Sequence, residues 1–272
     1  MFSDDVYYNC FSQKKVKNLG NIFVGDFVEF DKVGGDFVVK KVMERKNKLI
    51  RPFVTNITQI FIVLSSEPEP DFVLIDKLII NAIMNKIKPI LVVNKCDLKS
   101  NIKEIIEKEY LNSNIERIFV SSKEKTNIDE LKNMLLGNIT AFAGQSGTGK
   151  TSLINVLFNH TGEVGKLSDK IMRGKNTTRN AELLVINNET FVLDTAGFSK
   201  IEFSDMNPNE IKNCYNEFNN CECVYKNCNH IYEGENKCGV IKSVGKVIDK
   251  NRYERYKLIF MECDDLWRKR YD

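Results

Sequence analysis

Nowhere in its 272 residues does this chain carry ~18 uninterrupted apolar residues, so no membrane-spanning helix is expected. Its N-terminus, Met1-Phe2-Ser3-Asp4-Asp5, lacks a basic stretch followed by an apolar one. No secretory leader is therefore expected, and a cytoplasmic location without a membrane partner follows. Internal repeats and low-complexity tracts are missing as well, which sets aside repeat architectures. The net charge is only +3, so bulk charge does not point to a nucleic-acid partner. Histidine is scarce: there are two, His160 and His230, and His160 reads as a helix-end residue without chemistry.

What is present suggests a globular protein. Hydrophobic residues make up 42% and charged residues 28%, enough for an ample core in one large domain or two to three small ones. The charge is concentrated locally. Lys40, Lys41, Arg45, Lys46, Lys48 and Arg51 are opposed only by Glu44, and Lys246, Lys250, Arg252, Arg255, Lys257, Arg268, Lys269 and Arg270 form a second basic set. Each can follow a phosphate backbone or simply be a solvated face. Eight cysteines occur; in a cytosolic chain disulfides are not expected, and clustering between 221 and 238 points to metal.

Texture divides the chain into three: 1–54, 55–200 and 201–272. In the first, Ile22-Phe23-Val24, Phe27-Val28-Glu29-Phe30 and Phe37-Val38-Val39 read as strands separated by Gly25-Asp26 and Gly34-Gly35 turns, with Arg51-Pro52 as the exit. A small antiparallel barrel of OB type, a form used on RNA, is the expected outcome. In the second, apolar strands at 60–64, 89–93, 118–120, 139–143 and 191–193 alternate with helical stripes at 72–87 and 127–136. That alternation predicts a parallel sheet covered on both faces, with ligands at the carboxyl ends of its strands. The third carries a Cys/His cluster and then a long polar-aromatic helix.

The central segment holds a G-x-x-x-x-G-K-[ST] loop, Gly144-Gln145-Ser146-Gly147-Thr148-Gly149-Lys150-Thr151, followed by Ser152. A strand precedes it and a helix follows, the setting this phosphate loop requires. Glycines admit backbone N–H groups to the phosphates, Lys150 reaches the β- and γ-phosphates, and Thr151 is a Mg²⁺ ligand. Asn94-Lys95-Cys96-Asp97 ends an earlier strand. The Asp97 carboxylate can accept from guanine N1–H and N2–H₂, which adenine does not offer, so GTP or GDP is the expected ligand. Lys95 is expected over the base plane, Cys96 is expected only to pack, and Ser121-Ser122-Lys123 supports the base from its other edge. Asp194-Thr195-Ala196-Gly197 supplies a second Mg²⁺ ligand, Asp194, and the Gly197 N–H for the γ-phosphate. A switch threonine, Thr177 or Thr178, completes the metal shell. Thr177, Thr178 and Gly197 are the candidates closest to the chemistry, and the catalytic residue itself is not identified. Phe198 stands where a water-orienting Gln is found in Ras-type enzymes, and it can neither orient nor deprotonate water. The base-reading tetrad precedes the phosphate loop, the reverse of the usual order, so the G domain is circularly permuted.

Cys223-x₄-Cys228-x-His230-x₇-Cys238 offers three thiolates and an imidazole, suited to one closed structural Zn²⁺ site. Cys221 competes as a ligand.

Taken in order, N-K-x-D, S-S-K, the phosphate loop, G-x-x-T-T, D-T-x-G-F and the Cys–His loop resemble the ribosome small-subunit-dependent GTPase A family, RsgA. The resemblance spans nearly the whole chain, including Val24-Gly25-Asp26, Arg51-Pro52, and Arg252-Tyr253 with Tyr256. It implies a multidomain protein: an N-terminal OB-type barrel, a central permuted α/β P-loop G domain and a C-terminal zinc-binding segment with a helix. It also implies GTP hydrolysis stimulated by the small ribosomal subunit and its rRNA in late subunit assembly; a monomer is expected. The family's H-T-T-T is replaced by Asn176-Thr177-Thr178-Arg179, Ala196 stands where Pro is usual, and the Cys–His loop has two extra residues before Cys238. Permutation puts the zinc segment directly after the 194–197 loop, which predicts that GTP state reorients residues 201–272 through that tether.

Overall fold

A computed structural model describes residues 1–12, 21–49, 54–159, 182–194 and 206–270. Its centre is a six-stranded sheet. β8 (Gln59–Leu64), β9 (Lys88–Val93), β10 (Glu116–Phe119), β11 (Ile139–Ala143) and β13 (Thr190–Asp194) run parallel, and β12 (Glu182–Asn187) pairs antiparallel with β13. The spatial order is β10-β9-β8-β11-β13-β12. β11, which feeds the phosphate loop, therefore lies inside the sheet although it comes fourth of the six in the chain.

Strand periodicity divides the core. Ile60, Ile62, Leu64, Leu91 and Val93 face one layer with α1 (Phe72–Met84) and α2 (Ile102–Glu109). Phe61, Val63, Ile90, Val92 and Phe142 face the other with α3 (Ile128–Leu135) and α4 (Lys150–Asn159). Each such side chain, taken wholly out of water, contributes about 1.5–3 kcal/mol before entropy is subtracted. α1 begins where the Asp71 carboxylate accepts from the Leu74 N–H. The stripe expected to run to 87 stops at Met84, because Lys86 takes a left-handed φ of 58° that no helix continues.

The N-terminal part contains β1 (Phe2–Ser3) paired with β2 (Val6–Tyr7), a three-stranded sheet of β3 (Cys10–Ser12), β5 (Asp36–Val42) and β4 (Val28–Val33), and the pair β6 (Lys48–Leu49) and β7 (Val54–Thr55). Gly34 and Gly35, with φ of 61° and 99°, make the expected hairpin turn between β4 and β5. The strand expected at Ile22–Val24 is reduced to one bridge, Val24 to Val54. Polar ties hold that stretch instead: the Asp26 carboxylate accepts from Arg45, Thr55 and the Phe23 N–H. The Arg51-Pro52 exit lies outside the described residues.

Past residue 206 come α5 (Pro208–Ile211), two 3₁₀ turns, α6 (Gly239–Ser243) and α7 (Lys250–Arg268), the last capped by Asp249. Tyr215, Phe218, Val240, Tyr256, Ile259 and Phe260 build a third core that also takes in Ile80 of α1. α1 thus serves two cores, with Ile75, Leu78 and Ile79 toward the sheet and Ile80 toward α7. Among the described residues no helix is long and apolar enough to cross a membrane.

The second basic set corrects the sequence reading. Arg252 and Arg255 are buried, and they bind the buried Asp76 carboxylate of α1 at 2.5 Å each. Arg252 also pairs with Glu217, Arg255 pairs with Glu109 of α2, and the Tyr110 hydroxyl donates to Asp76. Burial, the largest single influence, would push both guanidinium pKa values down; Asp76 with Glu217 at Arg252, and with Glu109 at Arg255, together with the neighbouring tyrosines, reverses it, so both stay charged. These two arginines bind the C-terminal unit to the central one and are not available to a phosphate backbone.

Candidate functional site

The phosphate loop leaves β11 between β8 and β13, and the tetrad leaves β9 on the far side of β8. Both lie at carboxyl ends of parallel strands, and they touch. Buried Asn94 donates through Nδ2 to the Thr148 carbonyl at 2.9 Å, and its Oδ1 accepts from the Ser122 N–H at 3.1 Å. Lys95 donates through Nζ to the Gly147 carbonyl at 2.9 Å and the Glu67 carbonyl at 2.5 Å. Its stem crosses from the tetrad to the phosphate loop. Close approach explains two glycines: a Cβ at Gly144 would lie 2.1 Å from the Val63 carbonyl oxygen, and one at Gly149 would lie 2.3 Å from Asn94 Nδ2.

Asp97 is exposed at the end of β9's loop. The hydroxyl of buried Ser121 donates to it at 2.6 Å and holds its carboxyl below the usual range, with Lys123 and Lys95 adding to the effect. It is therefore ionised at neutral pH and purely an acceptor. Lys123 is exposed beside Glu124. Cys96 is exposed rather than packed, with its N–H bonded to the Val120 carbonyl.

Lys150 donates through Nζ to the carbonyls of Gly144 and Gln145 at 2.8 and 2.6 Å, folding over the loop that would cradle phosphate. Thr148 donates to the Gln145 carbonyl at 3.0 Å. Ser146 and Gly147 are exposed on the loop, and Thr151 and Ser152 are exposed in the first turn of α4. Asp194 ends β13, one residue beyond the Ala141–Leu193 register pair that precedes Gly144 along β11. Thr177, Thr178, Gly197, Asn176, Phe198 and His160 lie outside the described residues.

A loop that sequence reasoning passed over, Ser65 to Asp71, wraps the phosphate loop. Gln145 Oε1 accepts from the Asp71 N–H at 2.8 Å, and its Nε2 donates to the Glu69 carbonyl at 3.3 Å. Asp76 was missed as well, although a carboxylate in the run Phe72 to Ile80, apolar apart from it and Lys77, was a signal that it needed a buried partner.

Ligand atoms of Cys223, Cys228, His230 and Cys238 all lie within 4.8 Å of one another. Cys223 and Cys238 Sγ are 3.8 Å apart, and His230 Nδ1 is 3.3 Å from Cys238 Sγ. Tetrahedral thiolates at a Zn–S distance of ~2.3 Å sit about 3.8 Å apart, so the set fits such an ion. Burial and then Lys212 push His230 down to about 4, leaving the neutral imidazole that ligation needs. The chain around it is clamped: Tyr253 donates to the His230 carbonyl, Tyr256 to the Asn229 carbonyl and Lys212 to the Cys228 carbonyl. Cys221, the competing ligand, is turned instead to the Glu217 carbonyl and the Ser243 hydroxyl.

A family model described as RsgA GTPase matches residues 42–204. A small ribosomal subunit biogenesis GTPase RsgA from Ruminiclostridium cellulolyticum is 37% identical over 256 residues, covering 92% of this chain and 84% of that protein. Its namesake from Thermotoga petrophila is 38% identical over 259 residues, covering 91% and 85%. Among solved structures, YjeQ from Thermotoga maritima superposes with a TM-score of 0.81 at 32% identity, covering 96% of this chain and 91% of that one. YloQ, described as a circularly permuted GTPase, gives a TM-score of 0.76 at 27% identity, covering 94% and 86%.

Proposed function

The chain belongs to the RsgA GTPase family, and from that premise we propose that it acts in maturation of the small ribosomal subunit, hydrolysing GTP when docked on that particle and its rRNA. One observation carries the nucleotide assignment. Two motifs in reversed chain order meet in space, through Asn94 to Thr148 and Lys95 to Gly147. That contact reassembles from a permuted chain a site that reads guanine on one side and phosphate on the other.

The chain's own residues divide the work. Asp97, ionised and held by Ser121, accepts from the guanine edge, and Ser122 with Lys123 closes the far side. Lys150 exchanges its two carbonyl partners for phosphate oxygens, while loop N–H groups from Gly144 to Thr151 point at the same charge. Thr151, Asp194 and Thr177 or Thr178 are the proposed holders of Mg²⁺, which supplies charge neutralisation between the β- and γ-phosphates. Cys223, Cys228, His230 and Cys238 are the proposed holders of a structural Zn²⁺ whose closed ligand set leaves no position for chemistry. The proposed units are 1–54 as an OB-type RNA-binding barrel, 55–200 as the G domain and 201–272 as the zinc-binding and helical unit. All strands of the central sheet fall between 59 and 194, which supports that division. A monomer working in the cytoplasm completes the reading.

The test is GTP turnover by the full chain with and without purified small subunits. Stimulation is expected; tight GTP-dependent binding without stimulation would overturn the hydrolytic role. That outcome would favour a second reading, in which occupancy alone gates an RNA-binding module, and Phe198 in place of a water-orienting residue is the observation behind it. Asp97→Asn should lower the preference for GTP over ATP by ~10² or more, because the amide cannot accept from both guanine donors. Competition binding with the two nucleotides checks it.

A further inference from the structure

We propose that Gln145 is a positioning residue that passes nucleotide occupancy from the phosphate loop, through α1, to the C-terminal unit. The proposal rests on the reading that this loop binds guanine nucleotide, and it names how that binding is communicated.

The route is built from two sets of contacts along one helix. At the phosphate end, the Gln145 backbone carbonyl accepts from Lys150 Nζ and from the Thr148 hydroxyl. Its side chain grips the segment leading into α1, accepting from the Asp71 N–H and donating to the Glu69 carbonyl. Asp71 is also the residue that caps α1. One residue thus faces the position of the phosphates with its main chain and holds the helix start with its side chain. Arriving phosphate draws the Lys150 ammonium away from the Gln145 carbonyl, since a dianionic oxygen cluster outcompetes a neutral carbonyl. The electrostatic setting of Gln145 changes whatever else moves.

From its second turn on, α1 is tightly coupled to α7. Asp76 lies one turn into the helix and binds Arg252 and Arg255 in a buried network, and Lys77 meets Glu262 at 2.6 Å. Ile80 packs in the C-terminal core. A buried ion pair in a closely packed seam does not stretch, so a shift of α1 carries α7 with it. The clamps from Tyr253 and Tyr256 then carry the shift to the carbonyls of His230 and Asn229. This path does not require the 195–205 tether, which lies outside the described residues.

The experiment is hydrogen exchange on the metal-loaded full chain, free and saturated with GDP or a non-hydrolysable GTP analogue, for wild type, Gln145→Met and Gln145→Glu. In wild type, nucleotide is expected to change exchange in Lys250–Arg268 on the order of fivefold, the lower end of ordinary coupling. Gln145→Met keeps the length of the side chain but makes neither hydrogen bond; compared at nucleotide saturation, set from its own measured affinity, it should lose the response in α7. Gln145→Glu keeps the acceptor for the Asp71 N–H and should retain part of it. The readout is the nucleotide-dependent difference, because general destabilisation speeds exchange in both states alike. An unchanged α7 response in Gln145→Met overturns the proposal, and so does a wild type that binds nucleotide without any α7 response. No nucleotide binding by wild type would overturn the site reading first and this one with it. Should Gln145→Met not fold, a Gln145→Glu response equal to wild type at Asp71 and in α7 counts against the route, since half the grip is gone.

Discussion

Two flanks of the same sheet use the same residue types in opposite ways. On the N-terminal flank, Lys40, Lys41, Lys46 and Lys48 stand exposed on and beside short strands. Lys41 meets only an exposed Glu29 and Lys48 lies over Phe23, while Arg45 is tied down by Asp26. On the C-terminal flank, Arg252 and Arg255 are sealed under Tyr110, Tyr215 and Phe72 with three carboxylates from distant segments. As strings of letters the two basic sets look alike. The difference teaches that a run of positive charge becomes a surface or a joint according to whether buried carboxylates wait for it elsewhere in the chain. Asp76, Glu109 and Glu217 wait for Arg252 and Arg255, and nothing comparable faces the exposed lysines of the first set among the described residues.

The contrast can be pushed hardest by removing metal. The C-terminal flank surrounds its Cys–His cluster with loops and short turns, so a chelator at neutral pH should unfold much of 206–249 while the central sheet survives. Exchange measured by segment would show it, and equal protection with and without metal would deny the cluster its structural role. Next in size is Arg252→Ala. It leaves Asp76 and Glu217 buried with too few partners and should cost about 3–5 kcal/mol in the unit that α7 belongs to. Trp267, the only tryptophan, sits on α7 and reports that transition by fluorescence. A stability change below about 1 kcal/mol would make the joint decorative.

The N-terminal flank should answer to acid more than to metal. Burial would raise the Asp26 carboxyl, but Arg45, the Phe23 N–H and Thr55 together hold it below its ordinary value. A depressed folded value means the stabilisation is complete above the unfolded value of ~3.9 and is lost as pH falls through the folded one. Amides from Phe23 to Thr55 should therefore lose protection at about pH 3 relative to pH 5; no change would place the anchor elsewhere. Smallest for stability is the double substitution Lys40→Ala with Lys41→Ala. It should alter stability by less than about 0.5 kcal/mol. Binding to small-subunit RNA should weaken, and the salt slope should fall by about 0.9 for each phosphate that is no longer neutralised. An unaltered slope would remove these lysines from the interface.

Legibility followed the range of the interactions. The phosphate loop, the tetrad and the sheet strands could be read because each is a local pattern: six consecutive buried residues at Gln59–Leu64, or glycines spaced for backbone approach. The Gly34-Gly35 hairpin was readable for the same reason. The strand at Ile22–Val24 was not, because that stretch is held by Asp26, Arg45 and Thr55 rather than by a ladder. Cys223 was preferred to Cys221 by spacing alone, but which of the two thiols turns toward the cluster is decided by the fold. Gln145 was read only as one of the phosphate-loop residues; its side chain's partners, at 69 and 71, lie more than seventy residues earlier in the chain.

By itself the sequence determined the ligand class, the permuted order and a candidate donor set for metal. Those depend on residue chemistry at short spacing, and short spacing survives without knowledge of the fold. Tertiary structure alone decided that the reversed motifs touch, that two arginines form a joint, and that one helix serves both the nucleotide end and the C-terminal core. These are pairings across many tens of residues, and their energy comes from burial and charge that exist only once the chain has closed on itself.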